Sequence, residues 1–244
     1  MKINIKNIDI NYTQYGEGKD IVLLHGWGQN IEMMKPIGDN LCSNHRITIL
    51  DLPGFGESEE PKEVWNIGDY SNMLEEFLNR LDIKKPVIMG HSFGGRIAIR
   101  YSANHSIEKL VLFGSPCIRI QEELPLYVKM LKSAKKLPGL NEFGEYMKKY
   151  IGSRDYKAAS PMMRKILVNV VNEDLSKYAR EIEEPTLLIW GEQDTEAPLK
   201  DAKELEKIMI DAGLVVLPGT HYAYLENLGQ VINILNIYYS HYIN

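Results

Sequence analysis

Short apolar runs alternating with helix-periodic stretches predict an α/β fold, with a mostly parallel sheet covered by helices on both faces. Three observations carry that expectation. Residues 21–24, 47–50, 86–89, 110–113, 186–190 and 214–217 are brief, nearly continuous apolar runs, the signature of strands buried on both sides. Between several of these runs, apolar residues recur at helical spacing. Residues 116–184 lack strand signals and carry only helical stripes, so they read as an insertion within one domain. The core is then expected in two parts, 1–115 and 185–244, around a helical insertion at 116–184.

The elements follow in order. Ile3, Ile5, Ile8, Ile10 and Tyr12 predict two short strands joined near residues 7–9, the second ended by Gly16 and Gly18. The run 21–24 leads straight into His25-Gly26-Trp27-Gly28, and 47–50 into Asp51-Leu52-Pro53-Gly54-Phe55-Gly56. Tyr70, Met73, Leu74, Phe77, Leu78 and Leu81 share one helical face, with Asp69 as the expected N-cap. The strand at 86–89 ends in Gly90-His91-Ser92-Phe93-Gly94-Gly95, and a helix follows to about Asn104. Within the insertion, three amphipathic stripes are expected: Leu124/Tyr127/Val128/Leu131/Leu137, then Phe143/Met147/Tyr150/Ile151, then Met162/Met163/Ile166/Leu167/Val170/Val171. Helices at 205–209 and 228–239 complete the alternation.

Composition narrows the function. The 244 residues suffice to bury a core without disulfides or structural metals. With 28 Lys+Arg against 33 Asp+Glu, and no basic block, the chain lacks the positive field that binds a phosphate backbone, so no nucleic acid partner is expected. Cys42 and Cys117 are far apart and show no metal-ligand spacing, as in a reduced cytoplasmic protein. The first residues alternate apolar and polar, which reads as a strand and not a signal peptide. No apolar run reaches the roughly 18 residues of a membrane span. The expectation is a cytoplasmic chain with no membrane partner.

The sharpest motif is Gly90-His91-Ser92-Phe93-Gly94, directly after a buried strand and before a helix. This is the G-x-S-x-G turn, which lifts a serine Oγ above the sheet and aims a helix N-terminus at the reaction centre. A serine hydroxyl is a poor nucleophile unless a base activates it and a third group orients the base. Asp194, in Gly191-Glu192-Gln193-Asp194, and His221, in Pro218-Gly219-Thr220-His221, both lie just beyond strand ends and in the chain order such a site requires. Glu192, Glu196 and Asp201 are competitors for the acid; the Gly-x-x-Asp spacing favours Asp194. The backbone N–H groups of Trp27 and Phe93 are the expected oxyanion donors. His25 and Asp51 read as structural.

With these motifs in view, the chain resembles the α/β-hydrolase family over essentially its whole length. The residues that carry the likeness are Leu24-His25-Gly26-Trp27-Gly28, Asp51 to Ser58, Gly90 to Gly95, Gly191 to Asp194 and His221. More narrowly it is similar to small bacterial serine esterases and carbon–carbon bond hydrolases with a helical cap after the sixth strand. The resemblance implies an eight-stranded sheet, with Ser92 as nucleophile, Asp194 as acid and His221 as base. Ser92 sets the chain apart from haloalkane dehalogenases and epoxide hydrolases, whose nucleophile is an aspartate. Two places depart from the family pattern: Thr220 stands where glycine often precedes the histidine, and Leu228 where proline often follows Glu226-Asn227. Both bear on loop shape. Some relatives carry the acid after the sixth strand, but Gly114-Ser115-Pro116 has no carboxylate.

The expected activity is hydrolysis of a small or medium carboxylic ester, a small-molecule substrate, through an acyl-serine, with no cofactor and no metal. The alternatives are a carbon–carbon bond hydrolase of ring-cleavage diketones with the same triad, and a non-enzymatic ligand-binding protein on this fold. Met162, Met163 and Ile166 of the third stripe are the residues expected to turn toward substrate.

Overall fold

The computed structural model describes residues 1–118 and 154–240. Eight strands form one sheet: β1 (Lys2–Ile5), β2 (Ile8–Tyr15), β3 (Lys19–Leu24), β4 (His45–Leu50), β5 (Val87–His91), β6 (Lys109–Phe113), β7 (Thr186–Gly191) and β8 (Ala212–Leu217). Their order is β1-β2-β4-β3-β5-β6-β7-β8. The pairs β1/β2 and β2/β4 are antiparallel, and every later pair is parallel. The β1–β2 hairpin closes between Ile5 and Ile8, with Lys6 and Asn7 both at positive φ (51° and 60°). That is the two-residue turn whose twist suits paired strands.

The described helices are α1 (Ile31–Leu41), α2 (Ile67–Arg80), α3 (Phe93–Ser102), α4 (Arg154–Ala158), α5 (Pro161–Asn172), α6 (Ser176–Ala179), α7 (Leu199–Ile208), α8 (Ala223–Glu226) and α9 (Leu228–Ser240). Alternation along the strands sorts the core into two layers. Val22, Leu24, Leu50, Ile88, Leu110, Leu112, Leu188 and Trp190 point to the layer shared with α2, α3, α5 and α7. Ile21, Leu23, Ile47, Ile49, Met89, Val111, Phe113 and Ile189 point to the layer shared with α1, α8 and α9. Each central strand is therefore apolar on both faces, which is why its sequence is a continuous run.

Several expectations need correction. Helix α1 was not legible, because Pro36 and Gly38 lie inside it. It forms because its buried face (Met34, Ile37, Leu41) packs on the sheet and Asn30 caps its start. The N-cap of α2 is Asn66; Asp69 is its reciprocal partner in a capping box. Helix α3 stops at Ser102. The strand at 214–217 is an edge strand, with Val216 42% exposed and only Leu217 fully buried. Of the three stripes in the insertion, the first two lie outside the described residues; the third is α5, with Pro161 in its first turn and Ser160 capping the Met163 N–H.

Asp51, just past β4, ties the loops above the sheet together. It accepts hydrogen bonds from Ile31 N–H (2.8 Å), Glu57 N–H (2.9 Å) and Asn11 Nδ2 (2.8 Å). Its side chain is buried, so the carboxylate depends on these donors in place of water. Asp51→Ala is expected to lower stability by about 2–4 kcal/mol, read as a lower urea midpoint with an unchanged slope.

Candidate active site

Ser92 follows β5 with φ 49° and ψ −112°, in the left-handed half of conformational space that a residue with a Cβ rarely enters. The glycines around it permit this. A Cβ on Gly90 would come within 2.5 Å of Gly95 Cα, and one on Gly94 within 2.3 Å of the Leu24 carbonyl. The turn is pinned by Ser92 N–H to Phe113 O (3.0 Å) and by Gly95 and Arg96 N–H to Ser92 O (3.1 and 3.2 Å). Among the described residues the Phe93 N–H has no acceptor, as the first N–H of a helix should not.

The loop after β3 carries the other backbone N–H expected to act as a donor, that of Trp27. His25 Nδ1 lies 2.7 Å from Gly26 O, and its Nε2 accepts the Leu52 N–H at 2.9 Å. This fixes the tautomer with the proton on Nδ1. Burial pushes its pKa down to about 4, against the opposing pull of the Gly26 carbonyl and Asp51, so it is a neutral brace. The Gly26 N–H is taken by Gln29 Oε1 (2.9 Å), whereas the Trp27 N–H has no acceptor among the described residues. The Trp27 ring meets Phe55 and Phe93 edge-on at 4.8 and 5.2 Å. Trp27 and Phe55 are half-buried and place an apolar wall beside the turn, which the sequence reading missed.

Asp194 and His221 come together from the ends of β7 and β8. Asp194 Oδ2 lies 2.8 Å from His221 Nδ1, and Oδ1 accepts the N–H groups of Glu196 (2.9 Å) and Ala197 (2.8 Å). Both side chains are almost fully buried. A carboxylate so held orients the imidazole and favours the proton on Nδ1, leaving Nε2 free to accept another. The loop carrying His221 is clamped from behind. Glu226 accepts from the Thr220 N–H (2.7 Å) and Thr220 Oγ1 (2.6 Å), and Asn227 Nδ2 donates to Pro218 O (2.6 Å). Thr220, which departs from the family's glycine, is therefore part of the clamp.

Ser92 and His221 are not hydrogen-bonded to each other in this structure, a bond that free enzymes often hold long and tighten with substrate. They are nonetheless joined through His91, whose ring lies 4.8 Å from that of His221. His91 Nε2 is 3.1 Å from His221 O, and its Nδ1 is 3.2 Å from Gln29 Oε1. Burial, and then the neighbouring His221, hold its pKa well below the usual range. Neutral, it carries one N–H, which donates either to the His221 carbonyl or to Gln29 Oε1.

Two further placements were not anticipated. Gly114 has φ 48°, and a Cβ there would stand 3.1 Å from Asp194 Oδ2 and 3.2 Å from His221 Nδ1. Glu196, weighed only as a rival acid, puts Oε2 3.6 Å from His221 Nε2. Of the three expected cap residues, Met163 and Ile166 are 2% and 0% exposed and belong to the main core, Met163 lying against Gly54. Met162 is half-buried against the same core. Helix α4 comes near the loop after β3, since a Cβ on Gly28 would lie 3.9 Å from Asp155 Oδ1. Among the described residues no cluster of His, Cys, Asp and Glu could hold a metal ion, and no helix is long and apolar enough to cross a membrane.

A family model described as the alpha/beta hydrolase fold matches residues 20–143. The chain belongs to the α/β-hydrolase family. An AB hydrolase superfamily protein, YisY, of Bacillus subtilis (strain 168) is 26% identical over 262 residues, covering 94% of this chain and 95% of its own. A pimeloyl-[acyl-carrier protein] methyl ester esterase of Nitrosospira multiformis is 29% identical over 239 residues, covering 87% and 90%. The solved structure of an esterase from Exiguobacterium antarcticum superposes with a TM-score of 0.77 over 97% of this α/β-hydrolase and 98% of that chain, at 22% identity. At that identity the likeness is one of fold.

The contact at Gly114 gives a direct test of the Asp194–His221 geometry. Gly114→Ala is expected to reduce kcat for any substrate of this α/β-hydrolase at least tenfold, because the pair must move to admit the methyl group. Thermal unfolding should fall by only a few degrees, roughly the effect of 1 kcal/mol in a chain of this size.

Proposed function

We propose that this α/β-hydrolase is a serine hydrolase that cleaves a small or medium carboxylic ester through an acyl-serine. The observation that carries the reading is the 2.8 Å contact between the buried Asp194 and His221 at the same sheet edge as the Ser92 turn. In this reading His221 takes the Ser92 proton as Oγ attacks the carbonyl, and Asp194 steadies the imidazolium. The N–H groups of Trp27 and Phe93 bind the developing oxyanion. His221 then passes the proton to the departing alcohol, and water resolves the acyl-serine by the same steps in reverse roles. The relative named as a methyl ester esterase favours an ester over a carbon–carbon bond.

The acyl group is assigned to the apolar wall of Trp27 and Phe55, with Met162 as the cap residue that limits its length. Met163 and Ile166 support α5 from the core, and Met163 also packs against Gly54 beside Phe55. The reaction asks nothing of a metal or cofactor.

Reaction with a fluorophosphonate should add one adduct per chain, mapped by mass spectrometry to Ser92. Ser92→Ala and His221→Ala should each lower kcat on a short p-nitrophenyl ester by at least about a thousandfold, and the double variant by little more. Labelling at another residue, or near-normal turnover in His221→Ala, would overturn the assignment. Met162→Ala should move the preferred acyl chain to greater length, since one methylene in an apolar pocket is worth roughly 10- to 200-fold in kcat/KM. An unchanged length profile would remove Met162 from the pocket.

A further inference from the structure

Glu196 stands where a carboxylate has no structural duty. Its backbone N–H is fixed to Asp194 Oδ1 at 2.9 Å, so the residue starts from the loop that holds the acid. Its side chain is 62% exposed and bends back until Oε2 is 3.6 Å from His221 Nε2. Among the described residues this is the one carboxylate near that nitrogen, and the carboxylate has no other partner there. On the opposite side of the imidazole, Asp194 already fills the orienting position at Nδ1, and the neighbouring His91 is neutral.

Nε2 is the atom that returns a proton to the departing alcohol. The leaving oxygen must therefore come within hydrogen-bond distance of it, about 3 Å. Added to the 3.6 Å separation, this puts the alcohol end of the ester no more than about 6.5 Å from the Glu196 carboxylate. The acyl end lies across the turn, against Trp27 and Phe55. We propose that Glu196 selects the alcohol part of the substrate by charge: esters of neutral or cationic alcohols are admitted, and an anionic group next to the ester oxygen is rejected. The inference rests on the reading of Ser92, His221 and Asp194 as the reacting groups. An anionic group two carbons beyond that oxygen lies within about 10 Å of the carboxylate, where two like charges partly exposed to water repel by an amount worth roughly 2- to 16-fold in rate.

The test uses three butyrate esters of similar alcohol size, those of choline, 3,3-dimethylbutanol and isethionate, which are cationic, neutral and anionic. The readout is the ratio of kcat/KM between charged and neutral esters, so that any general loss in a variant cancels. The protein should prefer the neutral to the anionic ester about tenfold, and 0.5 M NaCl should narrow that gap. Glu196→Gln should bring the two within about twofold, and Glu196→Lys should reverse the order. A ratio that stays constant across the three proteins, with the neutral ester turned over and Ser92 labelled by fluorophosphonate, would overturn the role of Glu196 alone. Absence of both turnover and labelling in the unaltered protein would overturn the reacting groups themselves, and the selection with them.

Discussion

The arrangement depends on a backbone that enters a disfavoured conformation at one serine. At φ 49°, Ser92 carries strain of the order of 1–3 kcal/mol, which persists only because the surroundings leave no alternative. Strand β5 is held between β3 and β6, so its end cannot drift. The close approach of Gly94 to the β3 carbonyls, and of Gly90 to Gly95, draws the start of α3 against the sheet. The sharp turn leaves the Phe93 N–H without an acceptor and sets the serine over the edge where the loops from β7 and β8 arrive. A relaxed turn would remove the strain and the positioning together.

Around that turn the charges are strictly rationed. His25 and His91 are both buried and neutral, and both serve as braces: one ties the loop after β3 to Leu52, the other sits between Gln29 and the His221 carbonyl. The buried Asp194 is satisfied on every side, by two N–H groups and an imidazole. A carboxylate in that setting is worth its desolvation only because both oxygens have partners. Glu196, by contrast, keeps most of its surface in water.

Legibility in the sequence followed burial. The central strands could be read because both faces are covered, which forces continuous apolar runs; β8, at the edge, used a similar run with its outer side exposed. The turn at Ser92 and the pairing of Asp194 with His221 were legible because chain order and glycine spacing mark the loops that hold them. Helix α1 was hidden, since Pro36 and Gly38 contradict it locally and tertiary packing overrides them. Asn66 was passed over for Asp69 because both are good cap residues, and only the reciprocal bonds distinguish their roles. Gly114 and the Trp27–Phe55 wall could not be found from pattern, since each matters through contacts with segments far along the chain. The third stripe was read correctly as amphipathic, but amphipathicity does not say whether a buried methionine meets substrate or core.

The clamp behind His221 has a consequence for how the protein is made. The Ser92 turn is complete once β3, β5 and β6 have paired, all before residue 114. The histidine, its carbonyl link to His91, and Glu226 and Asn227 that fix its loop all come after β8 (Ala212–Leu217). A chain growing from its N-terminus therefore forms the strained Ser92 turn before the loop that bears His221 exists. Contacts spanning 130 residues, such as His91 to His221, close late because loop entropy opposes them. The two parts of the site therefore complete at different stages of folding, the Asp194–His221 contact only once β7 and β8 are in place.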